Sequence, residues 1–354
     1  MTLNVGFIGF GKSTTVFHLP YLQIRDNLKV KKIYSRTKKT EMEEPYKKDG
    51  IEFVYDLQEL LADESISLIT ICTSDETHYD FAKACLEHGK HVLVEKPFSF
   101  TGEEARELLR LAASRNLIIM PYQNRRFDSD FLAVQQALES GKLGDPVEIE
   151  SHFDYYRPEA PDSPESSRYK GAVYGLGVHL IDQAVSLFGK PEKMYYDIRS
   201  VRNPGNPDDY FHIELFYSGF KYILKMSHLV KEPYPKFLIQ GTSGTFIKYG
   251  IDQQEDHLRK LGKKPGEEGF GEDPEASYGK LIYMENGMEK TDILPTPLGD
   301  YGKIYDLLYD SIVHGKPKPV SNKEIETVIE IMERGVNGAN PKVLTFTVED
   351  EGIS

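Results

Sequence analysis

The segment Val5-Gly6-Phe7-Ile8-Gly9-Phe10-Gly11-Lys12-Ser13 runs a short apolar stretch directly into two glycines spaced two apart. Few chains can do this without forming a strand that turns sharply into a helix. Gly9 permits the tight turn, Gly11 lets the backbone come close to a diphosphate, and the free N–H groups at the helix start face its negative charge. Thr14 occupies the position where a third glycine is common. Behind the turn, Phe17, Leu19 and Leu22 form an apolar helix face, expected to end near Pro20, and Leu28 to Tyr34 reads as a second strand. A bare glycine turn is also an ordinary tight loop, but the complete strand-helix-strand unit points to a dinucleotide site on Gly9, Phe10, Gly11, Lys12 and Ser13.

The chain has 354 residues, too many for one ordinary core, so two domains of roughly 120 to 230 residues are expected. Its formal net charge is -13 with both signs interspersed, and no stripe of lysine or arginine is available to neutralise nucleic-acid phosphates. Nucleic acid is therefore not an expected partner. The two cysteines, Cys72 and Cys85, fall in an apolar strand and a helix, which suits buried thiols in a reducing compartment. The chain opens on no cationic segment followed by an apolar run, and no stretch of about 18 apolar residues occurs. A cytoplasmic protein without a membrane span is the expectation.

Residues 1–122 alternate strand and helix, with strands at Val5 to Ile8, Val30 to Tyr34, Ile51 to Val54, Ile66 to Thr73, His91 to Val94 and Leu117 to Tyr122. Such alternation gives a parallel, doubly wound sheet. Thr101-Gly102-Glu103-Glu104 is a capping box ahead of the apolar face of Ala105, Leu108, Leu109, Leu111 and Ala112. From Gln123 the pattern changes. A helix with Phe131, Val134 and Leu138 leads into alternating strands at Val147 to Tyr155, Phe211 to Tyr217, Phe220 to Met226 and Phe237 to Gln240, broken by a helix around Leu176 to Phe188. Ser218-Gly219 and Asn286-Gly287 have hairpin chemistry, so residues 123–354 are expected to form an α+β domain on an open, mostly antiparallel sheet. If the uncovered face of that sheet is apolar, a second subunit is its simplest cover, hence a homo-oligomer. Arg157 to Gly171 and Asp252 to Ser277 read as irregular, either flaps over a site or plain surface loops.

An acid at the end of the second strand would hold the ribose 2′-hydroxyl of NAD and repel a 2′-phosphate. Here that strand ends Ile33-Tyr34-Ser35-Arg36-Thr37-Lys38-Lys39, so Ser35, Arg36 and Thr37 are candidate phosphate ligands and NADP(H) is expected over NAD(H). At the carboxyl edge of the fifth strand stands Glu95-Lys96-Pro97. A lysine there can hold or polarise a substrate hydroxyl, and a cis bond before Pro97 would aim it. His179 is expected on a helix with Asp182 one turn away, where histidine and acid can pair, and an imidazole suits removal of an alcohol proton. Thr73 and His78 follow the fourth strand and could border the nicotinamide. No metal-ligand spacing is present, and no metal site is expected.

These residues resemble the Gfo/Idh/MocA oxidoreductases through Gly9-Phe10-Gly11, Glu95-Lys96-Pro97 and Gly177-Val178-His179-Leu180-Ile181-Asp182. Within that family, Gly9 to Ser13, Tyr122 to Asp128, Tyr155-Tyr156-Arg157-Pro158 and Phe246 to Asp252 look most like the YhhX-type oxidoreductases and the NADP-dependent scyllo-inositol dehydrogenases. The resemblance spans nearly the whole chain. It implies an N-terminal Rossmann domain, a C-terminal sheet used for dimerisation, as a homodimer or a dimer of dimers, and hydride transfer between a nicotinamide and a polyol, inositol or sugar. By family role Lys96 contacts both cofactor and substrate hydroxyl, and His179 exchanges the proton; Glu95 is a further candidate cofactor contact, and Asn124, Tyr155, Arg157 and Asp182 are candidate substrate contacts. Many members carry an aspartate four residues before the histidine, where this chain has Gly175. Either Asp182 compensates from the other side of the ring, or the substrate chemistry differs, for example reduction of a carbonyl in a sugar-like acid. A nucleotide-binding sensor without turnover is the alternative from another functional class.

Overall fold

The computed structural model describes residues 2–159, 167–338 and 340–341 of the chain. Strands β1 (Leu3–Ile8), β2 (Leu28–Tyr34), β3 (Glu52–Val54), β4 (Leu68–Ile71), β5 (His91–Val94) and β6 (Ile119–Pro121) form one parallel sheet in the order β3-β2-β1-β4-β5-β6. The order reverses between β1 and β4, so the crossover helices diverge there and leave a crevice at the carboxyl edge. The turn after β1, Thr73, Glu95 and Tyr122 all lie at that edge. β4 is shorter than its apolar run because its ladder to β1 extends only from Val5↔Leu68 to Ile8↔Ile71.

Pro20 does not end the first helix. Thr14–His18 form a π turn, closed by the Leu19 N–H on the Thr14 carbonyl, and a new α-turn runs over Leu19–Leu22. This reset makes Pro20 a first-turn residue, where the missing N–H costs nothing. The capping box forms: Thr101 accepts from the Glu104 N–H, and Glu104 accepts from the Thr101 N–H, at the start of the helix Gly102–Ser114.

The second sheet has strands β7 (Pro146–Asp154), β8 (Lys193–Arg199), β9 (Tyr210–Tyr217), β10 (Phe220–Ser227), β11 (Phe237–Gly241), β12 (Gly244–Lys248), β13 (Gly279–Glu285) and β14 (Met288–Leu294), ordered β14-β13-β12-β11-β7-β10-β9-β8. All neighbours are antiparallel except β7 and β10. Asn286 and Gly287 both have positive φ in the β13–β14 hairpin, whereas in the β9–β10 hairpin only Gly219 does. β8 escapes a reading by alternation because it is a half-exposed edge strand with no clean apolar face. The helices Ser129–Glu139 and Val178–Phe188 pack against this sheet. Its other face is not the apolar surface that would by itself call for a cover: Lys221 pairs with Glu148 and Glu214, and Lys225 with Glu150.

After β14 the chain returns to the first sheet. In the helix Lys303–His314, the Tyr305 hydroxyl reaches His18 and Thr70, and Lys318 donates to the Ile119 carbonyl at 2.7 Å. One continuous core joins both sheets, and a smaller cluster of Tyr21, Phe270 and Tyr301 ties the first helix to later loops. Residues 160–166 of the Arg157 to Gly171 segment lie outside the described residues. Asp252 to Ser277 is not a plain loop: the Gln254 side chain accepts from the Tyr21 hydroxyl and the Tyr301 N–H. Among the described residues no helix is long and apolar enough to cross a membrane.

At Gly9, φ is +102° and an added Cβ would stand 2.4 Å from the Cys72 carbonyl oxygen. Gly9→Ala is expected to lower the unfolding free energy by about 3 kcal/mol. Gly11→Ala, whose Cβ meets no atom within 4 Å, should change it by less than about 0.5 kcal/mol. Urea unfolding of the two variants checks this.

Candidate active site

A cleft of about 400 Å³ opens at the carboxyl edge of the parallel sheet, lined by Lys12, Ser13, Thr73, Glu95, Lys96 and Asn124 and, from the second half of the chain, by Gly175, His179, Glu255 and Arg259. The turn that begins it is self-supporting. The Gly9 N–H donates to the Tyr34 carbonyl, and Thr14 donates its hydroxyl back to the Gly9 carbonyl at 2.8 Å. Thr14 is fully buried, so a threonine fills the space usually left by a third glycine. Phe10 points into the core against Phe53 and Tyr46, and its carbonyl accepts from the Lys39 ammonium. The space around Gly11 is open, which suits a ligand lying on the backbone.

Ser35 is buried and donates to the Thr37 carbonyl, while Arg36 and Thr37 are exposed just past β2. They do not line the cleft itself. Because β2 adjoins β1 and the Gly9 N–H is bonded to Tyr34, they stand beside the glycine turn, within the outline an extended dinucleotide would follow.

Glu95 organises the floor. One carboxylate oxygen accepts from Ser13 and contacts His18 Nε2 at 3.0 Å; the other accepts from the Lys96 N–H at 3.1 Å. Burial works to raise the Glu95 pKa, but His18, Lys96 and Ser13 outweigh it and hold it at about 2. His18 is itself buried, with Nδ1 2.7 Å from the Tyr305 hydroxyl. The peptide before Pro97 is cis. The Lys96 ammonium donates to the Gly175 carbonyl at 3.1 Å and forms no ion pair among the described residues. Among the described residues, one group could chelate a metal: His18, Cys72 and Glu95, with ligand atoms within 4.8 Å of one another. Both His18 nitrogens already have partners, and burial together with Glu95 pushes the Cys72 thiol up, away from a ligating thiolate.

His179, on the helix Val178–Phe188, is buried, and its Nδ1 has no hydrogen-bond partner among the described residues. Burial, reinforced by the charges of Lys96, Arg125 and Lys236, drives its pKa well below the ordinary imidazole value. The ring is therefore neutral near pH 7 and able to accept a proton.

Asp182 does not pair with His179. It takes both its oxygens to Arg126, at 2.7 and 2.8 Å, and Arg126 also binds the Pro319 carbonyl and Glu324. The one-turn spacing puts histidine and acid on the same helix, but the guanidinium claims the acid in a bidentate pair that an imidazole cannot match. His78 likewise stands behind the wall: its ring nitrogens lie 2.8 Å from the Pro97 carbonyl and 3.3 Å from that of Thr73. It braces two cleft segments without bordering the cleft. Tyr155 and Arg157 do not line it either; the Arg157 guanidinium lies 4.2 Å over the Tyr155 ring. A cation stacked on a ring face holds both groups at the sheet end.

Several lining residues have no counterpart among the sequence candidates. Arg125 binds Asp128 and Glu255, and Glu255 also pairs with Arg259 one helical turn on. The i,i+4 spacing of Glu255 and Arg259 is the signal that could have found them inside a stretch read as irregular.

Residues 3–123 match the family described as oxidoreductases with an NAD-binding Rossmann fold, Gfo/Idh/MocA, and residues 135–348 match its C-terminal alpha/beta domain. The chain belongs to the Gfo/Idh/MocA oxidoreductase family. It is 51% identical over 348 residues to the uncharacterized oxidoreductase YhhX of Escherichia coli, covering 98% of this chain and 99% of that one. It is 36% identical to the scyllo-inositol 2-dehydrogenase (NADP(+)) IolW of Bacillus subtilis, covering 96% and 95%. The crystal structure of an oxidoreductase from Bacillus cereus superposes with a TM-score of 0.94 at 48% identity, covering 98% of this chain and 99% of that chain. As a Gfo/Idh/MocA protein, the chain is an NAD(P)-dependent oxidoreductase acting on CH–OH groups.

Replacing Asp182 by Asn removes one member of a buried, bidentate ion pair. Asp182→Asn is expected to lose about 3 kcal/mol of unfolding free energy, measured by urea titration. An orienting role for the imidazole would instead show as a collapse of turnover at unchanged stability.

Proposed function

We propose that the protein transfers a hydride between NADP(H) and a polyol, inositol or sugar-like substrate, with residues 1–122 holding the nucleotide and 123–354 the substrate. The observation that carries this reading is that Lys96 and His179, from the two halves of the chain, line one cleft over the glycine turn. The nucleotide would supply or receive the hydride. Gly9, Gly11, Lys12 and Ser13 would hold its diphosphate, with Thr73 and Glu95 alongside, and Arg36, flanked by Ser35 and Thr37, would meet a 2′-phosphate with charge-assisted hydrogen bonds. Lys96 holds the substrate hydroxyl, Asn124 orients a neighbouring one, and neutral His179 takes the hydroxyl proton in oxidation and returns it in reduction. The NADP-dependence in the printed name of IolW agrees with this choice. A cytoplasmic homodimer, or a dimer of dimers, fits the family resemblance and the free cysteines.

The test is a turnover screen of inositols, aldoses and keto-sugars with both cofactors. Turnover with NADPH preferred is expected. Arg36→Ala should erase that preference, and Lys96→Ala should cut kcat by about a hundredfold or more with cofactor affinity largely kept. Tight nucleotide binding without turnover of any substrate would favour the sensor.

Because burial holds the His179 pKa down, the base stays unprotonated as pH falls. The kcat/KM of oxidation should persist through about pH 6.5, where a solvent-exposed imidazole would already be half protonated. Its acid limb should lie below that. A pH–rate profile against His179→Ala checks both the limb and its origin.

A further inference from the structure

The cleft holds an ammonium, that of Lys96, which makes no ion pair among the described residues. Lys96, Arg125 and Arg259 line the cleft, and Glu255 is bound by both arginines but not by Lys96. Asp128, behind the cleft and fully buried, takes the rest of Arg125. On the nucleotide side, Glu95 is consumed by Ser13, His18 and the Lys96 backbone, and Lys12 and Asp75 complete the charged lining. The Lys96 ammonium has three donors, and the partner it finds is a neutral carbonyl, that of Gly175. A Cβ on Gly175 would meet no atom within 4 Å, so room for ligand atoms lies beside that ammonium. One turn further along, His179 keeps a buried Nδ1 without a partner among the described residues.

We propose that the substrate is itself an anion, a sugar-type hydroxy acid or the matching keto acid, whose carboxylate occupies the open space over Gly175 against Lys96, with Arg259 as its second cation. This rests on the oxidoreductase reading above and narrows its substrate class. A carboxylate there gives the Lys96 ammonium an ionic partner, and it fixes the adjacent carbinol carbon between Lys96 and His179. In oxidation the carbinol C–H bond breaks, its hydride and electron pair pass to NADP⁺, the hydroxyl proton goes to the imidazole, and the product is the 2-keto acid with NADPH. Arg259 is 42% exposed and, among the described residues, bound only to Glu255, so its guanidinium can exchange one carboxylate for another at little cost.

The experiment measures kcat/KM with NADP⁺ for carbon-matched pairs, an aldonate against its alditol, such as gluconate against sorbitol, with a sugar phosphate as third arm. Acids are expected to lead by at least about tenfold. Gly175→Asp places a carboxylate in the open space and should shift that ratio towards the neutral partner by about tenfold or more, while Arg259→Gln raises KM for the acid more than it lowers kcat. Calorimetry of oxalate binding to the protein–NADPH complex gives a readout without turnover, expected in the wild type and lost in Gly175→Asp. If the variant fails to fold, the wild-type ratio and oxalate binding decide. Cofactor uptake with neutral polyols or sugar phosphates preferred, or no oxalate binding, overturns this inference alone; absence of cofactor uptake overturns it together with the reading beneath it.

Discussion

The Glu95 carboxylate, largely buried at the end of β5, is the interaction on which the site depends. It gathers the Ser13 hydroxyl from the glycine turn, the His18 ring from the helix behind that turn, and the backbone N–H of Lys96. His18 then passes the constraint to Tyr305, on a helix more than 280 residues later in the chain. A buried anion is tolerated only when its lone pairs are filled, and here they are filled by groups that must each be in register. The arrangement therefore locks the turn, the strand edge and the C-terminal helix together, and aims Lys96 as a by-product.

Electrostatics then divide the cleft. Near the nucleotide side, negative charge is present but spent internally on hydrogen bonds. At the other end, Arg125 and Arg259 share one carboxylate while Lys96 makes no ion pair among the described residues, and burial, reinforced by Lys96, Arg125 and Lys236, keeps His179 unprotonated. In the proposed reaction, a neutral imidazole beside an ammonium that has no ion pair among the described residues would move a proton, because the base is free and a substrate oxygen would be held by the cation. Gly175 contributes by what it lacks: an added Cβ would meet no atom within 4 Å, so the space over it is open.

Much of this was legible in the sequence. The strand-turn-helix unit, the capping box at Thr101 and the hairpin at Asn286-Gly287 are local, set by backbone sterics and nearby hydrogen bonds, and each forms as its residues suggest. Lys96 and His179 could be singled out because a strand edge and a helix face were readable around them. The failures share a cause. The sequence neighbours of Asp182 and His78 suggest other roles, but their partners, Arg126 and the Pro97 carbonyl, come from other segments through packing. Glu255 and Arg259 lay in a glycine-rich, charged stretch whose order comes from Tyr21 and Tyr301, far away in the chain.

The sequence by itself determined the parallel sheet, its glycine turn and the presence of a lysine and a histidine fit for proton handling, because periodicity and short-range sterics act within a few residues. Only the tertiary structure decided which partner each acid takes, which ammonium is left without an ion pair among the described residues and which wall closes the cleft. Those outcomes depend on burial and on competition among charges brought together from distant segments, and no spacing along the chain encodes who wins that competition.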